Sequence, residues 1–247
     1  LSAMSRTLFG IGTRRNLWHA LERVRSLRPQ IVVRTGDFPG TPETTETIEV
    51  ALREFAAVAD CVAVVPGNHD QSTTVAEVHA RLMGEPCSWP TTLEVGPARV
   101  ILLDTSEGYF GQHQLAYLRA QTAGEDGDKR QVLVFAHHPP CTLGMQFLDR
   151  DFAAADVAEA TNLLSAVAVP VRFFCGHYHL PASRTLGKAE VHCTAGVCFT
   201  VHPDREHMEI TRAEAGLRTI DIDPDTGQVM TRHEYASLSH PRRSHEP

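Results

Sequence analysis

The sequence lacks the features that mark membrane, secreted and nucleic-acid-binding proteins. No apolar run reaches the roughly 18 residues of a membrane-spanning helix, and the first residues lack the charged-then-apolar plan of a secretory signal peptide. No basic cluster larger than Arg242-Arg243 stands out, and the net charge is −7. Broad binding to nucleic acid depends on neutralising phosphates, so we expect neither a nucleic acid nor a membrane as a partner.

The six cysteines also lack any Cys-x-x-Cys spacing. Cys61 and Cys175 lie in apolar stretches, where a free thiol behaves as a small hydrophobic group. We therefore expect all six cysteines to be reduced and mainly structural, which predicts a cytoplasmic location.

No internal repeat and no linker divides the chain. A chain of 247 residues with 42% hydrophobic residues fits one large domain with a substantial core. We expect that domain to cover residues 1–237. The tail, residues 238–247, is rich in proline, arginine, histidine and serine and is expected to be flexible.

Apolar periodicity predicts alternating strands and helices. Residues 14–28 carry leucine and valine at helical spacing, which indicates an amphipathic helix. Strands at 31–35 and 61–66 bracket a second helix near 48–58, so this unit is expected to be a parallel strand–helix–strand. The remaining expected elements are strands near 98–103, 132–136, 171–175, 189–193, 217–222 and 227–234, helices near 113–121 and 152–167, and a polar surface turn at 123–130.

Four of these apolar strands run directly into residues that bind metals. The four strand exits are Gly36-Asp37, Gly67-Asn68-His69-Asp70, His137-His138 and Gly176-His177-Tyr178-His179. Each exit alone is compatible with an ordinary turn, but loops beyond strand ends converge at one edge of an α/β sheet. Oxygen and imidazole ligands without thiolate suit Mn, Fe or Zn, so the joint pattern predicts one metal site.

The order of these motifs resembles the calcineurin-like metallophosphoesterase superfamily. Within it, the chain is most similar to the class III cyclic nucleotide phosphodiesterases, through Leu103-Asp104-Thr105 and Ala136-His137-His138-Pro139-Pro140 in addition to the four exits. The resemblance runs from about Thr7 to the Gly-His-x-His motif and more weakly to about Tyr235. It implies an α/β fold of class αββα, a four-layer sandwich of two mixed sheets flanked by helices.

The resemblance also implies a role for each ligand-type residue. Asp37 is expected to bridge two metals, and Asn68, His137 and His177 to complete the second metal site. His179 is expected to bind the first metal, whereas His138 occupies a variable place and is interpreted as a structural residue.

Two further residues are implied to be catalytic. His69 is expected to stabilise charge on the phosphoryl group or to protonate the leaving oxygen. Asp70 is expected to orient the His69 imidazole through its second nitrogen. Capping of the next helix by Asp70 is an alternative that is compatible with this role.

One element of the superfamily pattern is absent. The first strand of the family ends in Asp-x-His, which supplies two ligands to the first metal, and nothing before Thr7 reads so. Ala3 and Ser5 stand at the nearest equivalent spacing. A truncated chain, with Met4 as a natural start, and a degenerate site both remain open, and both predict a first metal position that lacks two ligands.

The substrate is less determined than the site. We expect a small phosphodiester, with a 3',5'-cyclic nucleotide as a candidate whose base stacks on Tyr178 or Phe199, although either aromatic is compatible with ordinary packing. His113 is a further candidate for lining the cleft, and His202 and His207 are candidate replacement ligands.

Three functions remain open at this point: a metal-dependent phosphodiesterase, a phosphomonoesterase of broad specificity on the same site, and a non-catalytic module that binds without cleaving. A homodimer is left open as the assembly.

Overall fold

The computed structural model describes residues 7–8, 11–38, 45–124 and 131–236. The expected turn at 123–130 and the tail at 238–247 therefore lie mainly outside the described residues, as do Ala3 and Ser5. The helices are α1 (Thr13–Leu27), α2 (Thr45–Ala56), α3 (Ser72–Met83), α4 (Gly111–Thr122), α5 (Gln146–Asp151) and α6 (Val157–Ser165). No helix in these ranges is both long enough and apolar enough to cross a membrane.

The strands follow the predicted order. They are β1 (Thr7–Leu8), β2 (Ile11–Gly12), β3 (Ile31–Thr35), β4 (Cys61–Val65), β5 (Thr91–Val95), β6 (Ala98–Leu102), β7 (Gln131–Phe135), β8 (Val171–Cys175), β9 (Ala182–Leu186), β10 (Ala189–Cys193), β11 (Thr200–Val201), β12 (Ile210–Arg212), β13 (Ala215–Ile222) and β14 (Val229–Ala236).

A six-stranded mixed sheet forms the centre of the fold, in the order β5-β6-β7-β8-β10-β9. Its four inner strands are parallel, and the two edge strands run antiparallel to their neighbours. The inner strands β7 and β8 are almost continuously apolar because both of their faces are covered.

A second β layer covers one face of this sheet. It consists of the parallel pair β3-β4 and the antiparallel pair β13-β14. Side chains of both pairs join one apolar cluster with the large sheet, through Val33, Val65 and Ile220 against Leu102 and Phe135. Each pair is a separate ladder, because no strand of the described ranges is hydrogen-bonded between them.

Helices form the two outer layers. Leu118 of α4 and Leu164 of α6 pack against the other face of the large sheet, in a cluster with Val134. On the opposite side, α2 and α3 contact each other and cover β4, while α1 packs on β13. The α/β fold with αββα layering is thus confirmed, with a second β layer that is two ladders and not one mixed sheet in the part described.

Helix α3 and the strands β1, β2, β5, β9, β11 and β12 had no predicted range, and a predicted helix differs between 145 and 157. The helix expected over 152–167 begins only at Val157, and a short helix, α5, precedes it. The carboxylate of Asp156 accepts hydrogen bonds from the backbone amides of Phe110 (2.9 Å) and Gly111 (2.8 Å). These hydrogen bonds to the start of α4 hold residues 152–156 as a loop. Residue propensities do not report contacts between residues so far apart in the sequence.

Candidate metal centre

The two β layers bring their strand exits together at one edge. Strands β3 and β4 are paired in register and end together at Thr35 and Val65. Strands β7 and β8 of the large sheet end at Phe135 and Cys175. The layers meet where Nδ1 of His137 lies 2.7 Å from the carbonyl oxygen of Thr35. The exits therefore share one site, as the sequence predicted.

Four potential ligand atoms converge at this edge. Ligand atoms of Asp37, His137 and His177 all lie within 4.8 Å of one another. Nε2 of His137 is 3.0 Å from Oδ1 of Asn68, 3.0 Å from Nδ1 of His177 and 3.4 Å from Oδ2 of Asp37. Ligands on a tetrahedral ion with bonds of about 2.1 Å stand about 3.4 Å apart. The spacing therefore fits one shared cation.

The hydrogen bonds of the two imidazoles determine which nitrogens are free to bind it. A carbonyl oxygen accepts only from N–H, so Thr35 assigns the proton of His137 to Nδ1. The carbonyl of Phe152, 3.0 Å from Nε2 of His177, assigns that ring's proton to Nε2. Burial lowers the pKa of His177 to about 2, with nearby His137 and His138 adding to the shift, so the ring is neutral at pH 7.

This assignment leaves two nitrogen lone pairs facing each other. Nε2 of His137 and Nδ1 of His177 are 3.0 Å apart, and in the neutral tautomers assigned above neither nitrogen carries a proton. The oxygens of Asp37 and Asn68 add further electron-rich atoms at the same point. A cation satisfies all four atoms at once, so the residues present fit a bound metal.

The approach of the loops requires glycine at two positions. A Cβ on Gly36, where φ is +95°, would lie 2.6 Å from Nδ1 of His137, and a Cβ on Gly67 would lie 2.2 Å from Oδ1 of Asp37. The ligands Asp37 (φ 55°) and His177 (φ 61°) themselves adopt left-handed backbone conformations. Such conformations cost free energy in non-glycine residues and concentrate at functional sites.

The carboxylate of Asp70 makes two hydrogen bonds to backbone amides. Its two carboxylate oxygens accept hydrogen bonds from the backbone amides of Phe38 (2.7 Å) and Gly67 (2.8 Å). Both oxygens thereby join the two ligand-bearing loops after β3 and β4, while orientation of the His69 ring by this carboxylate remains a prediction. Burial raises the pKa of Asp70, although both amides and the charge of Arg34 oppose the shift.

Arg34 also contacts the loop that follows β3. Its guanidinium donates to the carbonyl oxygen of Asp37 at 2.7 Å and lies 4.5 Å from the ring centroid of Phe38. The charge is held by a carbonyl and an aromatic face, an arrangement that suits a planar guanidinium. The backbone of the Asp37 loop is thereby fixed on both sides.

The side chain of His69 is exposed to solvent. Both His69 and Asn68 are exposed, and the backbone amide of His69 donates to Oδ1 of Asp37 at 3.2 Å. This hydrogen bond turns the other carboxylate oxygen of Asp37 toward His137. Among the described residues, the cluster of Asp37, His137 and His177 does not include His69, and its role at the phosphoryl group remains a prediction.

His179 is not part of the converging group. Its ring stacks on Phe199 with centroids 4.5 Å apart, and its buried Nδ1 has no hydrogen-bond partner among the described residues. That nitrogen faces Gly196, where a Cβ would approach it to 2.4 Å. Its expected place at a first metal remains a prediction.

His138 is buried, as a structural residue should be. Its Nδ1 lies 3.0 Å from the hydroxyl oxygen of Thr105, and its ring lies 4.2 Å from that of His177. Burial lowers the pKa of His138 to about 4. The neutral ring supports His177 from the side.

The other sequence candidates lie outside the ligand group. Tyr178 and Phe199 are 1% and 5% exposed, so neither offers a face to a nucleotide base. His113 and His207 are exposed, and Nδ1 of His202 accepts from the backbone of residue 204. Among the described residues, the cluster of three acidic, histidine or cysteine ligands comprises Asp37, His137 and His177.

Sequence reasoning missed the groups that hold the two imidazoles. The carbonyls of Thr35 and Phe152 orient His137 and His177, but backbone groups leave no signal in residue type. It also missed Phe152 as an aromatic beside the site, because the residue falls within a stretch predicted as helix.

Comparison with known proteins finds relatives that are named as phosphodiesterases. No protein-family profile matches the chain. A probable cyclic nucleotide phosphodiesterase of Fibrobacter succinogenes is 30% identical over 163 residues, which are 65% of this chain and 62% of that protein. The glycerophosphodiester phosphodiesterase GpdQ of Enterobacter lignolyticus is 30% identical over 62% of this chain and 56% of its own length. The chain thus spans somewhat under two thirds of these relatives.

The fold has counterparts among solved structures. A dimetal phosphatase from Danio rerio superposes with a TM-score of 0.56 at 18% identity, covering 91% of this chain and 89% of that protein. This likeness supports the layered fold. The named relatives and the motif order relate the chain to the calcineurin-like metallophosphoesterases.

Proposed function

We propose that this protein is a metal-dependent phosphoesterase that hydrolyses a phosphodiester. The observation that carries the proposal is the convergence of Nε2 of His137 and Nδ1 of His177, 3.0 Å apart, with the side-chain oxygens of Asn68 and Asp37. A mixed nitrogen and oxygen set without thiolate suits Mn, Fe or Zn. We assign Asp37, Asn68, His137 and His177 as its ligands.

A metal at these ligands supplies positive charge that polarises the phosphate and favours ionisation of water. The protein's own residues then position the reaction. His69, exposed beside Asp37, donates a proton to the leaving oxygen as its bond to phosphorus breaks and a water oxygen bonds to phosphorus. Asp70 and Arg34 keep the two ligand loops at a fixed separation.

A 3',5'-cyclic nucleotide is the substrate that we propose first. A relative from Nostoc, named as a 3',5'-cyclic-nucleotide phosphodiesterase, is 23% identical over 98% of this chain and 90% of its own length. A glycerophosphodiester is the competing substrate, because GpdQ proteins also match. Phosphomonoesters are the third class to assay on the same site.

A non-catalytic binding module is the second candidate function. It is favoured by the position of His179, which lies outside the converging ligands. One cation polarises a phosphate but does not hold a nucleophile between two charges. This candidate predicts metal binding without turnover.

The test is hydrolysis of bis(p-nitrophenyl) phosphate by purified protein with added Mn, with and without a chelator. We expect turnover that the chelator abolishes. His177→Ala should remove most of the bound metal, because one lost imidazole leaves an incomplete set of ligands. His113→Ala, which changes an exposed histidine on α4, is the matched control and should keep its metal. Metal binding without hydrolysis of any phosphoester would select the binding module.

A further inference from the structure

Phe152 combines a backbone carbonyl that the proposed metal site uses with a side chain that the proposed reaction does not use. Its carbonyl oxygen lies 3.0 Å from Nε2 of His177 and so holds a metal ligand. Its side chain, directly after α5, is 42% exposed. The Phe152 ring lies 6.1 Å from the His177 ring, centroid to centroid, at an angle of 61°. An apolar ring is therefore presented to solvent beside the proposed ligand His177.

The ring is held in place and not left free. Phe147, five residues earlier in α5, contacts it edge to face with centroids 5.2 Å apart and planes at 73°. The backbone amide of Phe152 donates to the carbonyl of Leu148 at 2.9 Å, which fixes the end of α5. Phe147 and the backbone hydrogen bond hold the Phe152 ring in place, and the exposed part of the ring is available for a further aromatic contact.

Other aromatic residues near the site offer no such surface. Tyr178 is buried and donates its hydroxyl to Asp149 at 3.1 Å, and Phe199 lies against His179. The exposed aromatics of the described ranges are Trp18, Tyr109 and Phe152. Of these three, Phe152 has the ring contact with a proposed ligand, His177.

We propose that Phe152 determines substrate specificity by stacking against an aromatic substituent of the phosphodiester, either a nucleobase or an aryl group. The inference rests on the proposed function and deepens it, because a glycerol substituent offers no π face. Stacking is tolerant of the base, since every base has a flat face. The site should therefore favour aromatic phosphodiesters without strict choice among bases.

The test compares two diesters across three proteins. Wild type, Phe152→Leu and Phe152→Tyr are assayed with Mn on bis(p-nitrophenyl) phosphate and on glycerophosphoethanolamine. Leucine keeps apolar volume without a ring, tyrosine restores the ring, and both retain the carbonyl that holds His177. Metal content is measured on each protein as the check that the ligands are intact. Met230→Ala, at a distant residue that is 63% exposed on β14, is the control for loss of surface apolar area.

We expect Phe152→Leu to lose about tenfold in kcat/KM on the aryl diester, mainly through KM, with little change on the aliphatic diester; tenfold is the scale of one aromatic contact. Phe152→Tyr should restore the aryl activity. An equal loss on both diesters at full metal content, or no loss on either, would overturn this inference and leave the proposed function standing. A wild type that binds metal yet hydrolyses neither diester would overturn the proposed function, and this inference with it.

Discussion

At the scale of single residues, the site depends on which atom of each side chain is free. The backbone carbonyls of Thr35 and Phe152 each accept a hydrogen bond from one ring N–H, so that the neutral rings of His137 and His177 turn their other nitrogens toward each other. Neutral imidazole is the form that binds metals. The arrangement is therefore prepared for a cation before one arrives, and its hydrogen bonds to carbonyls hold the ligand rings in place.

His69 is predicted to act on the phosphoryl group and not on the metal. His69→Ala should lower kcat about 10²–10³-fold, by analogy with removal of a charge-stabilising donor, while metal content stays unchanged. Steady-state kinetics and metal analysis of the same preparation provide the two measurements. His207→Ala, at an exposed histidine outside the ligand group, is the control. Parallel loss of metal and activity would make His69 a ligand and refute the role.

Asp70 is predicted to stabilise the junction of the two ligand loops. Asp70→Ala leaves the buried amides of Phe38 and Gly67 without their acceptors, which should cost about 1–3 kcal/mol in the free energy of unfolding. Metal affinity should fall with it, since the loops carry Asp37 and Asn68. Urea unfolding and metal titration measure both effects.

The alternative role of Asp70 has a different signature. A carboxylate that oriented the His69 ring would affect kcat first, with stability and metal affinity close to those of the wild type. Asp223→Ala, in the exposed hairpin loop between β13 and β14, controls for the loss of a carboxylate that also accepts backbone hydrogen bonds.

At the scale of elements, the ligand residues come together only because the loops that follow the strands approach each other closely. The loops after β3 and β4 are so near each other that a Cβ on Gly67 would lie 2.2 Å from the Asp37 carboxylate and 2.6 Å from its backbone nitrogen. A side chain at this place has no room without moving a ligand.

Gly67→Ala is accordingly predicted to abolish tight metal binding. The added methyl group must displace Asp37, and backbone at 2.6 Å cannot yield as a flexible side-chain end can. Gly12→Ala is the matched control, because the nearest atom to a Cβ at that position lies 3.8 Å away. In a metal titration, we expect the affinities of the two variants to differ far more than their unfolding temperatures do. Equal affinities would show that the loops are looser than described.

The elements also show how far sequence reasoning reaches. The helix at 14–28 and the strands at 31–35 and 61–66 were confirmed to within two residues, since apolar periodicity reports directly on which face is buried. The helix expected from residue 152 was wrong over its first five residues, because Asp156 bonds to backbone amides 45 residues or more away. Long-range polar contacts of this kind have no local signature.

The same distinction applies to the site. Residue types and strand ends were enough to predict that Asp37, Asn68, His137 and His177 come together. They were not enough to predict the carboxylate of Asp70 on two backbone amides, or the burial of Tyr178. Those features depend on the path of the loops, which sterics and packing settle in three dimensions.

At the scale of the whole molecule, the site is a joint between two β layers. Asp37 and Asn68 come from the layer that contains β3 and β4, whereas His137 and His177 come from the six-stranded sheet. The two layers share the apolar cluster around Val65, which fixes their separation. A metal bound between them would link the layers as well as hold the substrate, so metal should raise the temperature of unfolding.

The most direct test of this account is anomalous diffraction from crystals grown with Mn or Zn. We predict one strong peak between Nε2 of His137 and Nδ1 of His177, within about 2.0–2.2 Å of both nitrogens and in contact with the oxygens of Asp37 and Asn68. A strong peak elsewhere, such as at His202 or His207, with none between His137 and His177, would contradict the central claim.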